Sequence, residues 1–342
     1  MNLAELNKVA EAMVAPGRGL LAADESTSTI KKRFDAIGVE STPITRRDYR
    51  EMLFRSGEPM SKNISGVILY DETIWQKAKD GTPLVKLIEQ AGSIPGIKVD
   101  EGTQPLPNCP GELVTVGLDK LAARLADYYK QGARFAKWRA VIDIGKDIPS
   151  MTAIHVNAHA LARYAALCQA AQIVPIVEPE VLMDGDNDID RCYEVTQRVL
   201  NKTFQELRIQ RVALEGMVLK PNMVVSGKKC AKQASVAEVA EKTIRLLKSC
   251  VPAAVPGIAF LSGGQSDEDA TAHLDAINRI GGLPWKVTFS YGRALQAAPQ
   301  QAWSGKPENV AAGQQAFIHR AQMNSLASKG GWNAGLEQKQ AA

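Results

Sequence analysis

Leu214-Glu215-Gly216-Met217-Val218-Leu219-Lys220-Pro221-Asn222 is an apolar run that ends on an amine. Such a run reads as a buried strand, and lysine is almost never buried unless it is paired or chemically used. Two upstream stretches end the same way, Phe135-Ala136-Lys137-Trp138-Arg139 and Val174-Pro175-Ile176-Val177-Glu178-Pro179-Glu180. Segments that each deliver charge at the C-terminal end bring those charges together when the strands run parallel.

Working outward, eight short β-type runs lie at 19–23, 66–70, 96–99, 133–139, 173–178, 216–220, 257–262 and 287–290, with helical patterns between them. Their spacing, roughly 30 to 45 residues, is the length of a strand, a loop and a helix, the unit of a right-handed parallel β/α repeat. Leu118, Leu121, Ala122 and Leu125 make one helical apolar stripe, and Val236, Val239, Ala240, Thr243 and Leu247 make another. Ser266 ahead of Asp267, Glu268 and Asp269 reads as an N-cap with acids in the first turn. The expected class is α/β, a single-domain (β/α)8 TIM barrel over residues 1–330 with an N-terminal helix and C-terminal helices, then a flexible tail at 331–342. The competing open doubly wound sheet lacks its glycine fingerprint. The first strand runs into Ala22-Ala23-Asp24-Glu25-Ser26, and Pro16-Gly17-Arg18-Gly19 precedes that strand, on the wrong side for a dinucleotide.

Composition narrows the function. The 342 residues carry 41 Lys+Arg against 37 Asp+Glu, a net charge of +4 spread evenly along the chain, which argues against a nucleic-acid surface. Short basic groups such as Lys31-Lys32-Arg33, Arg46-Arg47 and Lys228-Lys229 suit one small anionic ligand or a solvated face. The five cysteines include no Cys-x-x-Cys pair and read as reduced thiols. His155 and His159 stand four apart without the acid that a helical metal pair carries, so no metal and no cofactor is expected. No targeting signal is legible and no apolar stretch approaches the roughly 18 residues of a membrane span. The expected compartment is the cytoplasm.

Side chains two apart on a strand face one way, so Glu178 and Glu180 share a side, as do Lys137 and Arg139. Asp24 and Lys220 join them at the mouth of a barrel. A free lysine amine, with a pKa of about 10.4, attacks a carbonyl only when its cation is destabilised by desolvation or a like charge, and Lys137 is the nominated like charge. The iminium ion then draws electrons from the adjacent carbon–carbon bond without a metal. Glu178 is the candidate acid and base for imine formation, and Asp24 the candidate base for cleavage. In Phe260-Leu261-Ser262-Gly263-Gly264-Gln265 a strand breaks into glycines ahead of a helix, and Ser290-Tyr291-Gly292-Arg293 repeats the arrangement. Loops in these positions are the usual phosphate grip of such barrels. Ser26, Thr29, Arg33 and Lys98 are the candidates for a second anion. Taken singly, each charged strand end also has a structural reading as an ion pair or a solvated group. Their joint occurrence at strand C-terminal ends favours chemistry.

These residues resemble the class I fructose-bisphosphate aldolases. Leu-Glu-Gly-x-x-Leu-Lys-Pro-Asn around Lys220 is similar to the family's Schiff-base segment. The blocks at 21–27, 66–73, 96–100, 135–139, 175–180, 260–265 and 289–295 are similar to further family blocks in the same order, across nearly the whole chain. The resemblance implies a homotetrameric barrel that reversibly splits fructose 1,6-bisphosphate into dihydroxyacetone phosphate and glyceraldehyde 3-phosphate in glycolysis. It implies Lys220 as the iminium lysine, Glu178 as its acid and base, Asp24 as the cleaving base, and Lys137, Glu180 and Arg139 as tuning charges. Ser262, Gly263 and Gly264 on one turn and Ser290, Gly292 and Arg293 on the next would hold the phosphate of the ketone half. Ser26, Thr29, Arg33 and Lys98 would hold the other. Two departures stand out: Ser28-Thr29 replaces the family's common Gly-Ser, and the chain closes on Gln340-Ala341-Ala342 where animal members carry a tyrosine. Another lysine-dependent barrel such as a transaldolase, an aldolase of a different sugar phosphate, and a scaffold role are the competing readings.

Overall fold

The computed structural model describes residues 1–340. Ten strands occur in chain order: β1 Gly19–Ala23, β2 Ile64–Leu69, β3 Ile94–Lys98, β4 Thr103–Pro105, β5 Leu113–Thr115, β6 Phe135–Ile142, β7 Val174–Val181, β8 Val218–Leu219, β9 Gly257–Phe260 and β10 Lys286–Tyr291. Eight of them close a parallel barrel in the order β1-β10-β9-β8-β7-β6-β3-β2, and β4 pairs with β5 as an antiparallel hairpin beyond β3. The expected barrel is therefore present. β1, β2 and β7 are buried along their whole length, because helices cover the outside of a parallel sheet and side chains fill the inside.

Alternation along four of the barrel strands gives the inward row an apolar lower part and a polar top. Leu20 and Ala22 lead to Asp24, Phe135 to Lys137 and Arg139, Val174 and Ile176 to Glu178 and Glu180, and Val218 to Lys220. The lower residues form one small core with Leu6, Ala10, Met13 and Val14 from the N-terminal helix Leu3–Met13 and the residue after it. That segment plugs the N-terminal end of the barrel. Outward residues such as Trp138, stacked on Tyr164 with ring centroids 5.6 Å apart, form the larger core against the helices.

Local sequence signals set most helix boundaries. Ser266 Oγ accepts the Asp269 N–H at 3.0 Å and starts the helix Asp267–Ile280, as expected. One stripe is corrected. The helix begins at Leu121, after Lys120 in the left-handed region (φ 59°), so Leu118 lies outside it and Ala122 is exposed. Its buried face is Leu121, Leu125 and Tyr128. β8 is also shorter than expected, since Leu214–Gly216 forms a 3-10 turn. In the segment expected as a tail, Trp332 is buried and its N–H donates to Asp275 at 2.8 Å. Glu337 accepts from Arg320 at 2.6 Å, and a 3-10 helix covers Ala334–Gln340. The last two residues of that expected tail lie outside the described residues.

Glycine at 66 and 96 makes room for the largest inward side chain of the lower barrel. A Cβ on Gly66 would lie 2.8 Å from Phe135 Cε1, and one on Gly96 would overlap the same ring. Gly96→Ala is expected to overpack the barrel and cost about 1–3 kcal/mol, read as a lower urea midpoint. A second change, Phe135→Leu, recovers part of the loss. An unchanged midpoint in Gly96→Ala would contradict this packing.

Candidate active site

Lys220 sits one residue beyond β8, held by its own N–H donating to Val177 O at 2.8 Å. The two residues after it fasten that point to both neighbours. Pro221 O accepts the Leu261 N–H at 3.1 Å, and Asn222 Oδ1 accepts the Val181 N–H at 3.0 Å. The Lys-Pro-Asn sequence thus aims the amine inward while tying β8 to β7 and β9.

Inside, Glu178 stands between two lysines. Its Oε1 is 3.3 Å from Lys220 Nζ, and its Oε2 is 3.4 Å from Lys137 Nζ. Lys137 Nζ in turn donates to Asp24 Oδ2 at 2.8 Å. All four side chains are buried. Burial lowers the Lys220 pKa; Glu178 opposes that shift and the charge of Lys137 adds to it. For Lys137 burial acts in the same direction, but Asp24, Glu178 and Asp100 outweigh it, so its pKa rises. Burial would raise Asp24, yet Lys137 and Lys220 hold its carboxyl down to about 2. The two amines are driven apart, which separates a nucleophile from a permanent cation. Of the two destabilising causes expected from the sequence, desolvation acts on Lys220 more strongly than the like charge of Lys137.

Around this centre a cavity of about 390 Å³ opens at the strand C-terminal ends. Every candidate site residue named from the sequence lines it. Arg139 donates to Glu180 at 2.5 Å, and Lys98 pairs with Asp100 at 2.8 Å. Ser26 caps the helix Thr27–Asp35, its Oγ lying 3.0 Å from Thr29 Oγ1 and 3.1 Å from the added hydroxyl of Ser28. In the turn after β9 the N–H groups of Ser262 and Gly263 meet no protein acceptor among the described residues, whereas Gly264 N–H is spent on Ser262 O at 2.7 Å. Gly264 therefore contributes its backbone shape rather than a free donor. Ser290 Oγ is buried with no hydrogen-bond partner among the described residues. Arg33 Nη2 lies 3.9 Å from where a Cβ on Gly292 would be, so the β10 loop and the helix Thr27–Asp35 share one wall.

Sequence reasoning missed the acids behind the cations. Glu25 accepts from Arg33 at 2.5 Å and from Gln296 at 2.7 Å, and Asp100 accepts the Arg139 N–H at 3.3 Å. Asp100 could have been found as the acid two residues past Lys98. Gln296, in the last helical repeat, carries no such signal. His155 and His159 lie away from the cavity, 3.3 and 3.2 Å from the two oxygens of Glu206, which also pairs with Lys202.

Comparison with known proteins gives the same assignment. Residues 5–342 match the model of the family described as fructose-bisphosphate aldolase class-I. The chain belongs to the class I fructose-bisphosphate aldolase family. It is 59% identical over 333 residues to a probable fructose-bisphosphate aldolase class 1 of Xanthomonas campestris, covering 97% of this chain and 99% of that one. It is 53% identical over 332 residues to the fructose-bisphosphate aldolase of Drosophila melanogaster, covering 97% and 92%. The fold superposes on a solved structure of fructose-bisphosphate aldolase from Plasmodium falciparum with a TM-score of 0.96 at 49% identity, covering 97% and 96%.

The charge arrangement of this aldolase carries a stability consequence. Because the folded pKa of Lys220 lies below its unfolded value, the fold disfavours its proton. That cost is present in full below the folded pKa and disappears as pH rises past the unfolded value, about 10.4. Lys220→Met is therefore expected to abolish cleavage while leaving the thermal midpoint at pH 7 unchanged or higher. A fall of several degrees would mean that the ammonium is a net stabiliser.

Proposed function

We propose that the chain performs the family's reaction, the reversible retro-aldol cleavage of fructose 1,6-bisphosphate, through an iminium ion on Lys220. The observation that carries this reading is the pairing of a buried, destabilised Lys220 amine with Glu178 at 3.3 Å. The neutral amine attacks the ketone carbon. Glu178 protonates the carbinolamine hydroxyl, which leaves as water while the carbon–nitrogen double bond forms. Asp24 removes the proton from the hydroxyl at the fourth carbon, and the bond between the third and fourth carbons breaks. Its electron pair moves into the iminium, leaving an enamine on Lys220 and releasing glyceraldehyde 3-phosphate. Protonation and hydrolysis then free dihydroxyacetone phosphate.

Lys137, kept charged against Asp24 and Glu178, stabilises the oxyanions that form along this path. Arg139 and Glu180 fix the upper wall as a pair. The free N–H groups of Ser262 and Gly263, the open Ser290 hydroxyl, Gly292 and Arg293 take the phosphate of the ketone half. Ser26, Thr29, Arg33 and Lys98 take the other, and the hydrogen bond of Ser28 to Ser26 adds a hydroxyl to that wall.

Borohydride with dihydroxyacetone phosphate is expected to fix the ligand covalently on Lys220, located by peptide mass spectrometry. An adduct on another lysine, or none, overturns the assignment. Chelators are expected to leave cleavage intact, since the iminium already serves as the electron sink. We also propose a homotetramer acting in the cytoplasm, on the strength of the family resemblance; no described helix is long and apolar enough to cross a membrane. Sedimentation of the purified protein at four times the 37.0 kDa chain mass checks the assembly.

A further inference from the structure

Two loops are sewn together beside the turn that follows β9. Lys228 N–H donates to Met183 O at 2.7 Å, Gly227 N–H to Asn187 O at 2.8 Å, and Lys229 N–H to Gly185 O at 2.9 Å. The approach is close enough that a Cβ on Gly227 would lie 2.8 Å from the Gly185 carbonyl carbon. This seam fixes the backbone of Lys228, whose side chain crosses to Gly264. A Cβ on Gly264 would overlap Lys228 Nζ and lie 2.8 Å from its Cε. Gly264 also holds φ +145°, a conformation that L side chains rarely adopt. Backbone conformation favours glycine there, and the missing side chain leaves room for the resting ammonium.

Lys228 is exposed, and its ammonium pairs with Asp184, also exposed, at 2.7 Å. Neither residue belongs to the catalytic set derived above. The ammonium nevertheless lies against the third residue of the turn whose Ser262 and Gly263 N–H groups are unfilled. A lysine is a flexible point charge with three donors, so rotation about its terminal bonds moves it between two anions. We propose that Lys228 is a further substrate-phosphate residue, held by Asp184 in the free enzyme and released to the phosphate of the ketone half when that phosphate occupies the turn. The proposal rests on the phosphate assignment of the preceding subsection and extends it to a residue of a different loop. A static alternative makes Lys228 and Asp184 a clip between loops.

The two roles differ in sign, and paired variants separate them. Lys228→Met is expected to raise KM for fructose 1,6-bisphosphate about tenfold, the scale of one lost charge-assisted contact, with kcat within about threefold. Its KM also rises less steeply with salt than that of the parent enzyme. Lys228→Arg recovers most of the loss. Asp184→Asn frees the ammonium and is expected to leave KM unchanged or lower it. With fructose 6-phosphate, which lacks the phosphate in question, Lys228→Met behaves as the parent does. Parallel rises of KM in the Lys228→Met and Asp184→Asn enzymes would identify a clip and overturn the proposal, as would equal effects on both substrates. Failure of the parent enzyme to cleave the bisphosphate would instead remove the underlying functional reading. Borohydride trapping on Lys220 in the variants tests that reading separately.

Discussion

Glu178 between Lys220 and Lys137 is the contact on which the site is built. One carboxylate cannot fully compensate two buried ammonium groups, and Asp24 settles the imbalance by siding with Lys137 at 2.8 Å. Lys220 keeps a single ion-pair contact, to Glu178 at 3.3 Å, and its cation is consequently the weaker of the two. Buried charge of this density is a poor way to stabilise a protein, because desolvation takes back much of the Coulombic gain. The barrel supports it by wide covalent distribution: Lys137 and Glu178 stand within β6 and β7, and Asp24 and Lys220 just beyond β1 and β8, so no single loop has to hold like charges together.

Much of this was legible before any coordinates, because strand parity is a covalent property. Once Lys137, Glu178 and Lys220 are placed at the ends of parallel strands, alternation fixes which side they face. The glycine turns at 263–264 and 292 announce themselves by residue type. What remained hidden depends on neighbours distant in sequence. Gln296 reaches Glu25 across 271 positions, and no local pattern encodes that contact. The start of the helix at Leu121 also escaped, since apolar spacing extends through Leu118 while the left-handed Lys120 interrupts the backbone.

Arg33 shows how identity and position can separate. The resemblance assigns it to the far phosphate, and because barrel closure makes β10 the neighbour of β1 its guanidinium also stands beside Gly292, at the border of the two phosphate walls. Glu25, immediately after the catalytic Asp24 candidate, holds it there. Adjacent residues in Asp24-Glu25 therefore serve different tasks, one turned into the barrel and the other supporting the rim.

The N-terminal helix bears on the chemistry from the opposite end of the molecule. Leu6, Ala10, Met13 and Val14 close the floor beneath the short column of Phe135, Ile176 and Val218. Val218 lies directly below Lys220 on the same inward row. The burial of the amine from below thus rests on a stopper made from the first residues of the chain: if it loosened, water would reach the nitrogen along the barrel axis without disturbing a single residue at the mouth.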